Sequence, residues 1–259
     1  MSPPAASATF KTSLGPEGGG RSRLVWLHGW GHDHRHLIPL AGLFEGEFRS
    51  TLYDLPGFGQ TPPLEAGAGT GRYAEWLAAE LAGEAGKVVL IGHSFGCRVA
   101  LRLAARWPDK VAGLVLIAAP GLPRRRSLGW RLKALGLKGL AAAAGLCDRA
   151  FKTRRKEAFR NRFGSRDYRA AGPLRASLVA AVTEDLSETA SNIRQPVLLI
   201  YGERDAETPP DIGRRFQALI PHSEFAVLPG IDHYNVLNRG VFRCERLIRV
   251  FLGAKASHD

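Results

Sequence analysis

Cysteine is scarce in this chain: Cys97, Cys147 and Cys244 are all that 259 residues contain. They are odd in number, far apart and in no CxxC pair. That argues against a disulfide framework or a cysteine zinc site, and for a reducing compartment. The start, MSPPAASATF, has neither the charged block nor the apolar block of a secretory signal. No apolar run approaches the roughly 18 residues that a membrane span needs. A cytoplasmic protein is expected. Acidic residues are also short in supply, 24 against 36 Lys and Arg, for a formal net charge of +12. Such an excess asks for an anionic partner or a basic surface.

The surplus is local. Residues 120 to 195 hold 17 of the basic residues and 6 of the acidic ones, whereas the rest of the chain is close to neutral. The densest stretch is KTRRKEAFRNRFGSRDYR (152–169), with Glu157 and Asp167 as its acids. Taken alone it looks like a phosphate grip, but no nucleic-acid recognition motif accompanies it.

What is present is an alternation of strand and helix signals. LVWLH (24–28) and KVVLIG (87–92) lack polar alternation, as strands covered on both faces do. STLYDL (50–55), VAGLVLIAA (111–119), PVLLIYG (196–202) and EFAVLPG (224–230) read as further strands. Helical patterns fall at 36–44, 72–86, 209–219 and a last segment ending near Leu252. Another follows KVVLIG, with Arg98, Arg102 and Arg106 set on an outer face and Cys97, Ala100 and Ala104 inward, and it stops at Pro108. Repeated units of this kind predict a mostly parallel sheet wrapped by helices on both faces. The basic region interrupts the series, rich in helix formers and poor in strand signal. The reading is therefore a core of residues 1–119 and 196–259, with 120–195 inserted as a basic helical lid.

The chemistry centres on Gly92-His93-Ser94-Phe95-Gly96. GxSxG is a weak string by itself, but here it joins a buried strand to an apolar-faced helix, where a nucleophile elbow must sit. A serine needs a base to take its proton and a carboxylate to orient that base. Asp205 in YGERD and His233 in PGIDHYN each follow a later strand, at the carboxyl ends where such sites lie. Glu203 and Glu207 are alternative acids, while Asp232 is a poor one because a sequence neighbour cannot reach the imidazole at the proper angle. A tetrahedral oxyanion needs two backbone donors. The amide of Phe95 is one choice, and that of Trp30 in His28-Gly29-Trp30-Gly31 the other. His32, His34 and His36 beside Asp33 invite a metal reading, yet alternate residues share a face only on a strand, and this stretch leaves one. No metal and no cofactor is expected; these histidines instead suit the entrance to the site.

LHGWG, DLPGFG, GHSFG, YGERD and the late histidine together resemble the α/β-hydrolase superfamily, outside the basic insert. The pairing of LHGWG with DLPGFG is similar to the carboxylesterases that demethylate pimeloyl-acyl-carrier-protein methyl ester. The elbow departs from that type, with His93 where Trp is usual and Cys97 where a second glycine is usual. The resemblance implies an α/β-hydrolase fold and hydrolysis of a carboxylic ester or thioester through an acyl-enzyme. Carbon–carbon bond hydrolysis on the same triad, and ligand binding without catalysis, are the alternatives. In the insert, Phe151, Ala158, Phe159 and Phe163 form an apolar helical face, with Phe159 and Phe163 as candidate substrate contacts. Its charges read as a solvated face, or as a patch that draws an acidic acyl carrier protein, an acyl-CoA or an anionic membrane surface. Trp130, Leu132 and Leu135 would suit the last of these.

Overall fold

The computed structural model describes residues 9–16, 23–84, 86–123 and 166–255. The candidate contacts Phe159 and Phe163, and the segment of Trp130, Leu132 and Leu135, lie outside the described residues. Seven strands form one sheet in the order β1-β3-β2-β4-β5-β6-β7. These are β1 (Lys11–Leu14), β2 (Arg23–Leu27), β3 (Ser50–Tyr53), β4 (Val88–His93), β5 (Val111–Ile117), β6 (Val197–Gly202) and β7 (Glu224–Leu228). Only the edge strand β1 runs antiparallel, against β3; the other neighbours are parallel. This is the mostly parallel sheet that the alternation predicts.

The central strands are buried because both faces are covered, and their side chains divide between two cores with a period of two. Val25, Leu27, Leu90, Leu114, Leu116 and Leu199 point to one face. There they meet α2 (Thr70–Glu80), α3 (Phe95–Arg106) and α7 (Pro210–Leu219). Leu24, Trp26, Val89, Ile91, Val115 and Ile200 point to the other. That side is closed by the single turn α1 (Ile38–Ala41) and the C-terminal α8 (Val241–Lys255). The predicted helix at 36–44 is thus broken into short turns, His34–His36 and Gly42–Phe44 being 3-10 on either side of α1. Pro39 permits this start, since a proline fits the first turn of a helix and no further in. Between β5 and β6 the described residues include the helices α4 (Arg166–Ala170), α5 (Arg175–Thr183) and α6 (Ser187–Ser191), and no strand.

One expectation is corrected. Arg98, Arg102 and Arg106 do not share a solvent face: Arg98 is 7% exposed, Arg102 is half-buried and only Arg106 is out in solvent. The chain returning through α5 and α6 lies over the first half of α3, where Arg98 donates to the Glu184 carbonyl and Arg102 to Thr189 Oγ1.

Leu90 sits fully buried in the middle of the sheet. Leu90→Ala should cost about 2–5 kcal/mol of unfolding free energy in urea, through lost transfer energy and the cavity left behind. A loss under about 1 kcal/mol would mean that β4 is not the packed centre.

Candidate active site

Ser94 lies between β4 and α3 with φ 48° and ψ −109°, a backbone conformation that L residues rarely adopt. The close approach of strand and helix enforces the two motif glycines. A Cβ at Gly92 would stand 2.7 Å from the Cys97 amide nitrogen, and one at Gly96 would stand 2.1 Å from the Leu27 carbonyl oxygen. The serine amide donates to the Ile117 carbonyl at 2.9 Å, which pins the turn to β5. Its hydroxyl is thereby presented at the carboxyl edge of the sheet.

His233, in the loop after β7, places Nε2 3.2 Å from Ser94 Oγ. On its other side Nδ1 donates to Asp205 Oδ2 at 2.8 Å. Asp205 is 2% exposed and sits in the loop after β6. Its carboxylate also accepts from the amides of Glu207 and Thr208 and from Thr208 Oγ1. The other acids make no hydrogen bond to His233 among those described: Glu207 lines the cavity with its side chain exposed and gives its amide to Asp205. Glu203 accepts from the Gly230 amide, and Asp232 accepts from the amides of Tyr234 and Asn235 in its own turn. Thr208 was not singled out by sequence, although a Thr three residues after an Asp is a spacing typical of side-chain caps. An imidazole held between a buried carboxylate and a hydroxyl can accept the hydroxyl proton and stabilise the charge it gains.

The two candidate oxyanion residues pack on each other beside Ser94. The rings of Trp30 and Phe95 meet edge to face at 5.1 Å, and Phe58 abuts Trp30 at 4.9 Å. Phe95 opens α3, and first-turn amides have no carbonyl partner within the helix. His28 braces this loop from below: its Nδ1 donates to the Gly29 carbonyl and its Nε2 accepts from the Leu55 amide, at 2.8 and 2.9 Å. Burial lowers the His28 pKa to about 4, so it is neutral at neutral pH.

The clustered histidines divide. His32 and His36 stack at 3.8 Å on the cavity side, whereas His34 turns away to donate from Nδ1 to the buried Asp54 at 2.7 Å. Asp54 also accepts from the amides of His34 and Gln60, and so ties the DLPGFG turn to the loop after β2. Among the described residues, Asp33, His34 and Asp54 are the group whose ligand atoms lie within 4.8 Å of one another. Protein partners already occupy them: Arg35 pairs with Asp33 and, chiefly through its hydrogen bonds, lowers that carboxyl to about 2. His93, the residue before the serine, is fully buried and burial drives its pKa well down. Among the described residues neither ring nitrogen makes a hydrogen bond of full geometry, although the His233 backbone lies close enough to oppose the effect of burial, and the His93 ring stands 5.4 Å from that of His233.

Ser94, His233, Trp30 and Phe95 open on one cavity of about 710 Å³. Leu122, Leu178, Ala181 and Ile212 supply apolar wall, and Arg98 lines it as well.

A strained serine between a central parallel strand and a helix, faced by a histidine from a late loop, defines a class. A sequence model of the Alpha/beta hydrolase family matches residues 24–242. The chain belongs to that family and has its fold. Over 99 residues it is 40% identical to the biotin biosynthesis bifunctional protein BioHC of Cellvibrio japonicus, an alignment covering 38% of this chain and 19% of that protein. Thus it spans about a fifth of that relative's length. Over 238 residues it is 28% identical to the pimeloyl-[acyl-carrier protein] methyl ester esterase of Aliivibrio salmonicida, covering 82% and 85% of the two chains. Among solved structures, a thermophilic esterase from Thermogutta terrifontis superposes with a TM-score of 0.69 at 22% identity, over 95% of this chain and 93% of that one. At that identity the likeness carries the fold alone. Among the described residues no helix is long and apolar enough to cross a membrane.

His28 gives a pH prediction. Its folded pKa of about 4 lies below the ordinary 6.5, so the unfolded chain binds the proton first. The neutral form's contribution is complete above pH 6.5 and is lost as pH falls towards 4, up to roughly 3 kcal/mol. Urea unfolding should show stability falling across that window, and the fall should flatten in His28→Asn. An unchanged slope in the variant would contradict the assignment.

Proposed function

We propose that the protein is a serine ester hydrolase. The observation that carries this reading is the chain of contacts from Asp205 Oδ2 through His233 to the Ser94 hydroxyl, with the serine raised on a strained turn. Ser94 Oγ attacks the acyl carbonyl while His233 Nε2 takes its proton. The negative charge on the carbonyl oxygen is met by the amides of Trp30 and Phe95. Collapse expels the alcohol, which leaves with the proton from His233, and an acyl-serine remains. Water then adds to that ester with His233 as base, and the second collapse returns the proton to Ser94 Oγ and frees the acid. Asp205 keeps the Nδ1 proton in place and stabilises the imidazolium.

The relatives named as pimeloyl-[acyl-carrier protein] methyl ester esterases support a carboxylic ester as the bond cleaved. In this reading residues 120–195 are a cap over the cavity, and their 11 surplus positive charges attract an acidic carrier protein or another anionic surface.

Ser94→Ala should lower kcat on a small activated ester by about 10³-fold or more. Its thermal unfolding should match or exceed that of the parent, since alanine removes a hydroxyl from a site shaped for turnover. Retention of turnover by Ser94→Ala would overturn the assignment.

A further inference from the structure

Among the described residues, the buried charged side chain that lines the cavity is on α3, a single turn beyond Ser94. Arg98 is 7% exposed and lines the cavity with the serine and His233. Successive turns of a helix are about 5.4 Å apart, so the residue stands one turn from the serine on the wall of the same cavity. Of the acidic residues that also line it, Asp167, Asp185 and Glu207 are exposed and Glu184 is half-buried, and Asp185 is already engaged by the amide and hydroxyl of Ser187.

Arg98 is poorly neutralised by the protein. Among the described residues its hydrogen bond is a long one, Nη1 to the Glu184 carbonyl at 3.4 Å, and it has no ion pair with a carboxylate. The nearby Glu184 carboxylate is committed: it accepts from the Thr70 amide at 2.8 Å and from the Thr70 hydroxyl, and it pairs with Arg102 at 3.4 Å. Two guanidinium groups therefore share one carboxylate, leaving a net single positive charge at the wall. Burial lowers the Arg98 pKa to about 10, which still leaves it charged at neutral pH. A buried cation without a full partner is costly unless a ligand supplies one. Leu178, Ala181 and Ile212, all buried, line the same cavity, and a low-polarity wall strengthens a pairing made against it.

We infer that Arg98 forms a cationic subsite that binds a carboxylate carried on the substrate away from its scissile ester. The planar guanidinium fork matches a carboxylate. The net charge of one matches a monoanion, whereas a phosphate dianion would leave excess negative charge beside Glu184. The preferred substrate class is then the half-ester of a dicarboxylic acid. The inference rests on the hydrolase reading for its catalytic consequence, but the subsite itself is a binding property.

The test compares monomethyl esters of dicarboxylic acids with methyl esters of monocarboxylic acids of the same lengths. At the matching length kcat/KM should favour the carboxylate-bearing ester by about 10- to 100-fold, as a charged hydrogen bond to a desolvated partner allows. In Arg98→Gln that ratio should collapse towards one, with Arg98→Lys between the two. A parent enzyme without preference at any length overturns the proposal. So does a ratio that survives Arg98→Gln, which would make the arginine only a clip on the Glu184 segment. Calorimetric binding of the corresponding half-amides to Ser94→Ala separates the two readings. Selective binding of the carboxylate form without turnover by the parent would keep the subsite and remove the hydrolase. Turnover of both esters with equal efficiency would do the reverse.

Discussion

Everything in the site depends on forcing a serine into a conformation that it would not choose. A non-glycine residue at positive φ costs about 1–3 kcal/mol and persists only where its surroundings over-determine it. Here β4 is locked between β2 and β5, and α3 packs back so closely that Gly96 lies on the Leu27 carbonyl. The turn between them has no room to relax. The hydroxyl is consequently aimed out of the sheet edge, where loops from two later strands can reach it.

Those loops are built to keep charge in one place. His28 and His93 are buried and held neutral, so neither competes with His233 for the proton. Asp205 is buried too, but four donors surround it, so the one full negative charge beneath the imidazole is solvated by the protein itself. One helical turn beyond the serine, Arg98 supplies a buried positive charge, hydrogen-bonded among the described residues to the Glu184 carbonyl and sharing the Glu184 carboxylate with Arg102. The same cavity is thus lined by a carboxylate-backed imidazole and by a guanidinium.

Much of this was legible in the sequence because it is written in short-range patterns. Unbroken apolar strands announce a sheet covered on both sides, and GHSFG, YGERD and IDHYN each sit directly after such a strand. Those spacings bring Ser94, Asp205 and His233 to one edge of a parallel sheet whatever the loops do. The arginines on α3 misled for the opposite reason. A repeat of every four residues says that Arg98, Arg102 and Arg106 share a stripe, but solvent on that stripe depends on where residues far along the chain return. The segment around Glu184 covers Arg98 and leaves Arg106 outside. The same long-range pairing hides the role of Asp54, whose partners His34 and Gln60 come from two loops on different strands. The broken helix at 36–44 differs again: its apolar spacing was right, and Pro39 with Gly42 reduced it to single turns.

The central claim is that Ser94 is a nucleophile activated by His233. The most direct measurement is labelling of the purified protein with a fluorophosphonate, followed by intact mass and peptide mapping. The account predicts one adduct per chain, on Ser94, formed within minutes and slowed by orders of magnitude in His233→Ala. No adduct on the folded protein, or one formed at the same rate without His233, would contradict it.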